Sequence, residues 1–262
     1  MKTIQSFAMS AVFLFGAITA VQAAPVPEDS QLSFRLDFSR EITAEKALGH
    51  ARNIQEKFQV ADENFIDGPG GMKAFVLTPA NGSAKVYPRY VYTKNFNIAG
   101  ETISFYFKVL KQIPGKNVRF FHLFVPEKAQ GKVMILYSYL DAKGNYHTDF
   151  QFNGNNGKIN YIRMVVPADK IKAGEFTRID IANNKEKAQL YVNGTLADEK
   201  TLPPAFADAA ARPRGWSEFM LLPAFPQGGD DFGTQAAVAR LRVYPEMLTA
   251  SEIAEDAGKM QK

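Results

Sequence analysis

Apolar and polar residues alternate one by one in segment after segment of this chain, and clusters of Gly, Asn, Asp and Pro part the segments every dozen residues or so. Phe34, Leu36 and Phe38 alternate with Ser33, Arg35 and Asp37. Ile103, Phe105, Phe107 and Val109 alternate with Thr102, Ser104, Tyr106 and Lys108, and Ala188, Leu190 and Val192 with Lys187, Gln189 and Tyr191. A strand sends successive side chains to opposite faces, so this period of two predicts antiparallel strands with one face on a core and one toward water. Val118 to Val125 and Val133 to Leu140 carry large apolar residues at both parities, which predicts strands covered on both faces or lying under loops. Asp141 to Asn145, Asn153 to Gly157, and Asn183-Asn184 supply the turn residues that hairpins need.

Helical signal is scarce. Ile42 to Ile54 reads as a short helix or a loop, and the Pro/Ala stretch from Leu202 to Pro213 reads as a long surface loop. The clearest helix starts at Thr249, where Glu252 three residues on makes a capping box and Leu248 can staple against Ile253; it should run to about Gly258. Many strands with one short C-terminal helix predict an all-β, antiparallel jelly-roll sandwich rather than an α/β fold.

The N-terminus carries a second message. Met1-Lys2 opens with positive charge, an apolar stretch runs from Phe7 to Val21, and the small residues around Ala23-Ala24 precede Pro25. This is the layout of a cleavable export signal, with cleavage between Ala23 and Ala24. At about fifteen residues the stretch is short of the roughly 20 that a membrane-spanning helix needs. The expected division is therefore residues 1–23 as signal peptide and residues 24–262 as one sandwich domain. The chain has no cysteine, so disulfides are excluded, and an exported chain without them suits a bacterial periplasm, cell surface or exterior. A net charge of +4, spread along the chain, gives no basic stripe of the kind that nucleic-acid binding uses.

Three segments together resemble the laminin G/concanavalin A-like superfamily, in particular its bacterial extracellular members. The first is Glu101 to Lys108. The second is Phe176 to Ile181 followed by Leu190-Tyr191-Val192-Asn193-Gly194, a strand pair whose second member runs into an Asn-Gly turn. The third is Ala239 to Tyr244 with Leu248-Thr249-Ala250-Ser251-Glu252-Ile253, a closing strand and a capped helical turn. Gly71 to Leu77 is similar to an early strand of the family. The resemblance implies a concanavalin A-like sandwich and a theme of extracellular glycan or protein contact. Two departures matter: Ala239 and Arg240 stand where acidic residues are frequent in the family, and the single tryptophan, Trp216, falls outside the Thr102 to Lys108 strand.

Candidate sites follow from residue chemistry. His147, Asp149 and Gln151 share one face of a strand whose other face carries Tyr146, Thr148, Phe150 and Phe152. Such a polar stripe either binds sugar hydroxyls or is a solvated strand face. Trp216 either stacks on a sugar ring or seals the sandwich edge. Asp230 and Asp231, after Gly228-Gly229, offer oxygen ligands for calcium, or form an ordinary acidic turn. A retaining glycosidase on such a fold would place its acids on alternate positions of one strand, and no such strand is present; nor is there a nucleophile-elbow motif. The expected function is an exported, non-catalytic binding module contacting carbohydrate or a cell-surface partner. A polysaccharide-active enzyme on the same scaffold and a structural component of a surface assembly are the alternatives.

Overall fold

The computed structural model describes residues 31–55, 57–77, 87–111, 115–127, 132–153, 158–211, 217–223 and 236–259. Its strands, in chain order, are β1 (Phe34–Leu36), β2 (Lys46–Ala47), β3 (Phe65–Asp67), β4 (Lys73–Val76), β5 (Arg89–Val91), β6 (Glu101–Val109), β7 (Val118–Glu127), β8 (Lys132–Leu140), β9 (Tyr146–Asn153), β10 (Ile159–Val166), β11 (Thr177–Asn183), β12 (Lys187–Val192), β13 (Thr195–Thr201), β14 (Glu218–Leu221) and β15 (Ala236–Tyr244). Two helices accompany them: α1 (Pro204–Ala211) and α2 (Ala250–Lys259).

All these pairings are antiparallel, and they build two sheets. One has nine strands, along the path β13-β12-β11-β6-β15-β1-β2 with β4 and β3 attached through β15; the other has six, in the order β10-β9-β8-β7-β14-β5. The alternation read from the sequence sorts the side chains as expected. Phe34, Ile103, Phe105, Phe107, Ile179, Ile181 and Leu190 lie in one buried cluster with Leu123, Leu136, Phe150, Phe152 and Phe219 from the opposite sheet. This is a mostly-β antiparallel sandwich.

In β7 the apolar residues at both parities have a local cause. A bulge between Arg119 and Phe121 inserts Phe120 as an extra residue, so Phe120 and Phe121 both enter the core. The chain then resumes its alternation with His122 facing outward.

The loop expected from Leu202 to Pro213 is instead largely helix. Proline at the first helical position is preorganised, and the alanines of Pro204–Ala211 are strong helix formers. Phe206 anchors α1, fully buried, with its ring edge-on to Phe150 and Phe152 at 5.6 and 5.5 Å. From Ile42 to Ile54 the chain is loop around the short β2.

Part of the outer face of the nine-stranded sheet, over β11, β12 and β15, is covered by α2. Its N-terminus is the expected capping box: the Thr249 N–H donates to Glu252 Oε2 at 2.7 Å, and the Glu252 N–H donates to Thr249 Oγ1 at 3.3 Å. Leu248 and Ile253 pack together with Tyr191 and Tyr244. Deeper in, Asp256 accepts from Arg240 Nη2 at 3.0 Å and pairs with Arg178 Nη2 at 2.8 Å, while Arg178 also holds Asp180 at 2.7 Å. Arg240 reaches this network because it occupies the left-handed region (φ 48°) at a bulge in β15, which turns its side chain toward α2 while Leu241 goes to the core.

Two predictions follow from this face. Asn193 (φ 49°) and Gly194 (φ 82°) form the two-residue β12–β13 turn, and a Cβ on Gly194 would stand 2.9 Å from the Ala257 Cβ of α2. Gly194→Ala therefore combines backbone strain with a steric clash and should cost about 2 kcal/mol, read by urea denaturation; unchanged stability would show that α2 does not rest on this turn. Asp256→Ala leaves two buried arginines short of a partner and should cost ~3–5 kcal/mol. Burial raises the Asp256 carboxyl, but the Arg178 charge and the Arg240 hydrogen bond outweigh it and hold the carboxyl below its ordinary value of 3.8. The folded carboxyl binds its proton less tightly than the unfolded one, so this stabilisation is complete above that value and is lost as pH falls through the lowered one. The wild type should lose stability more steeply than the variant below about pH 4, where the unfolded carboxyl takes up its proton.

Candidate functional site

The outer face of the six-stranded sheet has no helix over it among the described residues, and β9 sets its pattern. Alternation sends Tyr146, Thr148, Phe150 and Phe152 inward and His147, Asp149 and Gln151 outward. Register then arranges rows across the sheet. His147 stands beside Tyr139 of β8 and Val165 of β10; Asp149 beside Tyr137 and Arg163; Gln151 beside Ile135 and Tyr161. On β7, Arg119 pairs with Tyr139 and His122 with Tyr137, and His122 also neighbours Met220 of β14.

These side chains form one stacked array. The His147 ring lies on Tyr139 at 4.9 Å, Tyr139 on Tyr137 at 5.6 Å, and His122 meets Tyr137 edge-on at 5.9 Å. The Arg119 guanidinium sits over Tyr137 at 5.1 Å and Tyr139 at 5.6 Å, within cation–π range. Asp149, fully buried beneath the array, accepts from Arg163 in a bidentate pair, Nε at 2.8 Å and Nη2 at 2.5 Å; the Arg163 side chain remains half exposed. Tyr161, next along β10 on this face, is 58% exposed.

The turn beneath His147 is rigid. Asp141 accepts the N–H groups of Lys143 and Asn145, the Asn145 side-chain amide at 3.0 Å and His147 Nε2 at 2.9 Å. Burial opposes the charge on Asp141, but these hydrogen bonds outweigh it and hold the carboxyl at about 2. Burial and the Asp149 charge push the Tyr139 hydroxyl up to about 12 and raise Tyr137 as well. Burial, then the Arg119 charge, lowers His122 to about 3, so its imidazole is neutral at physiological pH.

The chemistry on offer is recognition. The open part of this face is the half-exposed Arg163 guanidinium, the exposed Tyr161 ring and the Gln151 amide, which can hold a polyhydroxylated ligand in place. His147 and Tyr139, at 7% and 9% exposure, are packed within the array. Proton transfer has less to work with. Asp149 is locked by Arg163 and Asp141 is saturated with donors. Glu218, whose carboxyl burial raises, stands three strands from Asp149, about 14 Å at ~4.8 Å per strand. A glycosidase acid pair requires roughly 5–10 Å.

The structure thus brings His147, Asp149 and Gln151 onto one face, with His147 and Asp149 covered and only Gln151 partly solvated. Trp216, Asp230 and Asp231, and the segment 1–23, lie outside the described residues. Among the described residues no three His, Asp or Glu side chains converge to hold a metal ion, and no helix is long and apolar enough to cross a membrane. Arg119, Tyr137, Tyr139 and Arg163 are site residues that the sequence reading passed over. Tyr137 and Tyr139 were hidden in an apolar-looking run, and Arg163 acquires its meaning only through its register opposite Asp149.

Comparison with known proteins places this geometry. No curated protein matches the chain significantly. Among solved structures, the chain is similar to the binding domain of botulinum neurotoxin serotype D (TM-score 0.58, 11% identity, 88% of this chain and 51% of that one). It is also similar to the serotype G binding domain (0.58, 14%, 87% and 51%) and to the binding domain of Paraclostridial Mosquitocidal Protein 1 (0.56, 15%, 88% and 52%). At such identities the likeness is one of fold, and the chain spans about half the length of these structures. The model of the concanavalin A-like lectin/glucanases superfamily, laminin G type, matches residues 82–254. Covering well over half of the chain, that match shows that the protein belongs to the concanavalin A-like lectin/glucanase superfamily.

Proposed function

We propose that this protein is an exported, non-catalytic binding module that contacts carbohydrate on a cell-surface partner through the outer face of its six-stranded sheet. The observation that carries this reading is the half-exposed Arg163 guanidinium beside the exposed Tyr161 ring, both set on the packed array of His147, Tyr139 and Tyr137. Sugar rings offer C–H faces to aromatic surfaces and hydroxyls to fixed donors, and Tyr161 and Arg163 provide one of each on the same face. The structural neighbours support a binding role, since they are binding and receptor-binding domains. Export is supported by the charged start, apolar stretch and small-residue boundary of residues 1–24. The locked state of Asp141 and Asp149 speaks against hydrolysis at this face.

Two outcomes are expected. On a glycan array the purified chain should bind a subset of glycans saturably. Tyr161→Ala and Arg163→Lys, the latter keeping a counter-charge for Asp149, should each weaken that binding by tenfold or more, a loss of about 1.4 kcal/mol or above, with circular dichroism unchanged. Silence across the array would move the reading to a structural surface component, and release of reducing ends from a polysaccharide would make the protein an enzyme. Expressed with its leader in a bacterial host, the exported product should begin at Ala24 by intact mass; retention of residues 1–23 would remove the argument for a cleaved signal.

A further inference from the structure

A second cleft lies at the end of the sandwich where β6 and β8 finish, beside the Asp141–Asn145 turn that holds His147. It has a volume of about 390 Å³ and is lined by Val109, Leu110, Leu140, Ala168, Ile171 and Ala173, with Lys111 and Lys143 on its walls. This falls within the ~300–1,000 Å³ of small-molecule sites. Val109 and Ile171 pack against the main core, so the apolar floor of the cleft is continuous with the interior. Leu110 at its rim is 42% exposed, a large aliphatic side chain that the fold leaves uncovered.

Charge decides what such a cleft takes. Among the described residues no carboxylate lines it. Of the acids in the surrounding turns, Asp141 is consumed by Lys143 N–H, Asn145 and His147, Glu175 pairs with Lys172 at 3.4 Å, and the exposed Asp169 stands beside Lys170 on the Ala168–Lys170 turn. Among the described residues Lys111 and Lys143 have no ion-pair partner, and they come from different turns, after β6 and after β8. Two uncompensated ammonium groups over an apolar trough complement a ligand with one anionic end and an aliphatic body.

We propose that this cleft binds an anionic amphiphile, a single-chain aliphatic carboxylate being the simplest member of the class. The carboxylate lies between Lys111 and Lys143, and the chain runs over Val109, Leu140 and Ile171 toward Ala173. This site is separate from the sheet face and stands whether or not that face binds carbohydrate.

The test is calorimetric titration of the full chain with sodium decanoate below its aggregation threshold, alongside decanol and decyltrimethylammonium. Decanoate should bind at one site; decanol should bind at least tenfold more weakly, and the cation not at all. Lys111→Gln and Lys143→Gln should each weaken decanoate about tenfold, the scale of one charge-assisted hydrogen bond. Ala173→Trp, which fills an exposed part of the trough, should abolish binding without unfolding the chain. Equal affinity for decanol, undiminished binding in the double lysine variant, or no decanoate binding at all would each overturn the proposal.

Discussion

Aromatic rings from the two sheets meet face to face in the middle of this molecule, and the rest of the architecture is arranged around that contact. Phe107 of β6 stacks on Phe120 of β7 at 4.2 Å and on Tyr146 of β9 at 5.6 Å; Phe105 meets Phe121 edge-on at 5.5 Å; and Phe96, from the β5–β6 connection, adds a stack on Phe219 at 4.6 Å. Rings of this size bury ~150–250 Å² each and add a geometric preference to their burial. The β7 bulge lets one strand contribute two adjacent rings to this contact. It also sets the phase of everything beyond it on β7, and so places His122 on the outer face opposite Tyr137.

With the interior filled from both sheets, each sheet has one outer face left, and the chain treats the two differently. On the nine-stranded sheet, α2 descends over Arg178, Asp180 and Arg240 and completes an ionic network in which side chains are at most about 6% exposed. A buried network of this kind repays its desolvation only through close geometry, which makes it a device for fixing where α2 sits more than a source of net stability. Thr102 reinforces the same placement: its hydroxyl donates to Glu246 O at 3.0 Å and accepts from the Leu248 N–H at 2.8 Å. On the six-stranded sheet the arginine–aspartate pair is left half open, with Arg163 on the solvent side.

How far the sequence discloses these features depends on the range of the interaction. Strand alternation and the Thr249–Glu252 capping box are local, spanning two and three residues, and both are legible. The Asn193-Gly194 turn is legible for the same reason. Helix α1 was also written locally, in Pro203-Pro204 and the alanines that follow, but a proline-rich start weighs toward loop until Phe206 is known to have Phe150 and Phe152 waiting for it. The site was legible on β9 alone, where His147, Asp149 and Gln151 share a parity. Tyr137, Tyr139, Arg119 and Arg163 come from three other strands, and only the register that the bulge and hairpin turns impose puts them beside β9.

The contrast between the two arginine–aspartate systems also bears on which face is free to act. Breaking Asp256 away from Arg178 and Arg240 strands charge in a dry environment, so that face cannot exchange partners without losing α2. Arg163 differs, because water already reaches half of its side chain. A ligand that accepts hydrogen bonds from the outer edge of its guanidinium can do so while Asp149 keeps Nε and one Nη, and Asp149 then serves to hold the plane of the guanidinium in a fixed orientation. An exposed arginine loses rotamer freedom when it binds; one already held by a buried carboxylate has lost most of it beforehand. Preorganisation of that kind favours recognition at the face where Arg163 lies over the face where Arg178 lies, although the two pairs are built from the same residue types.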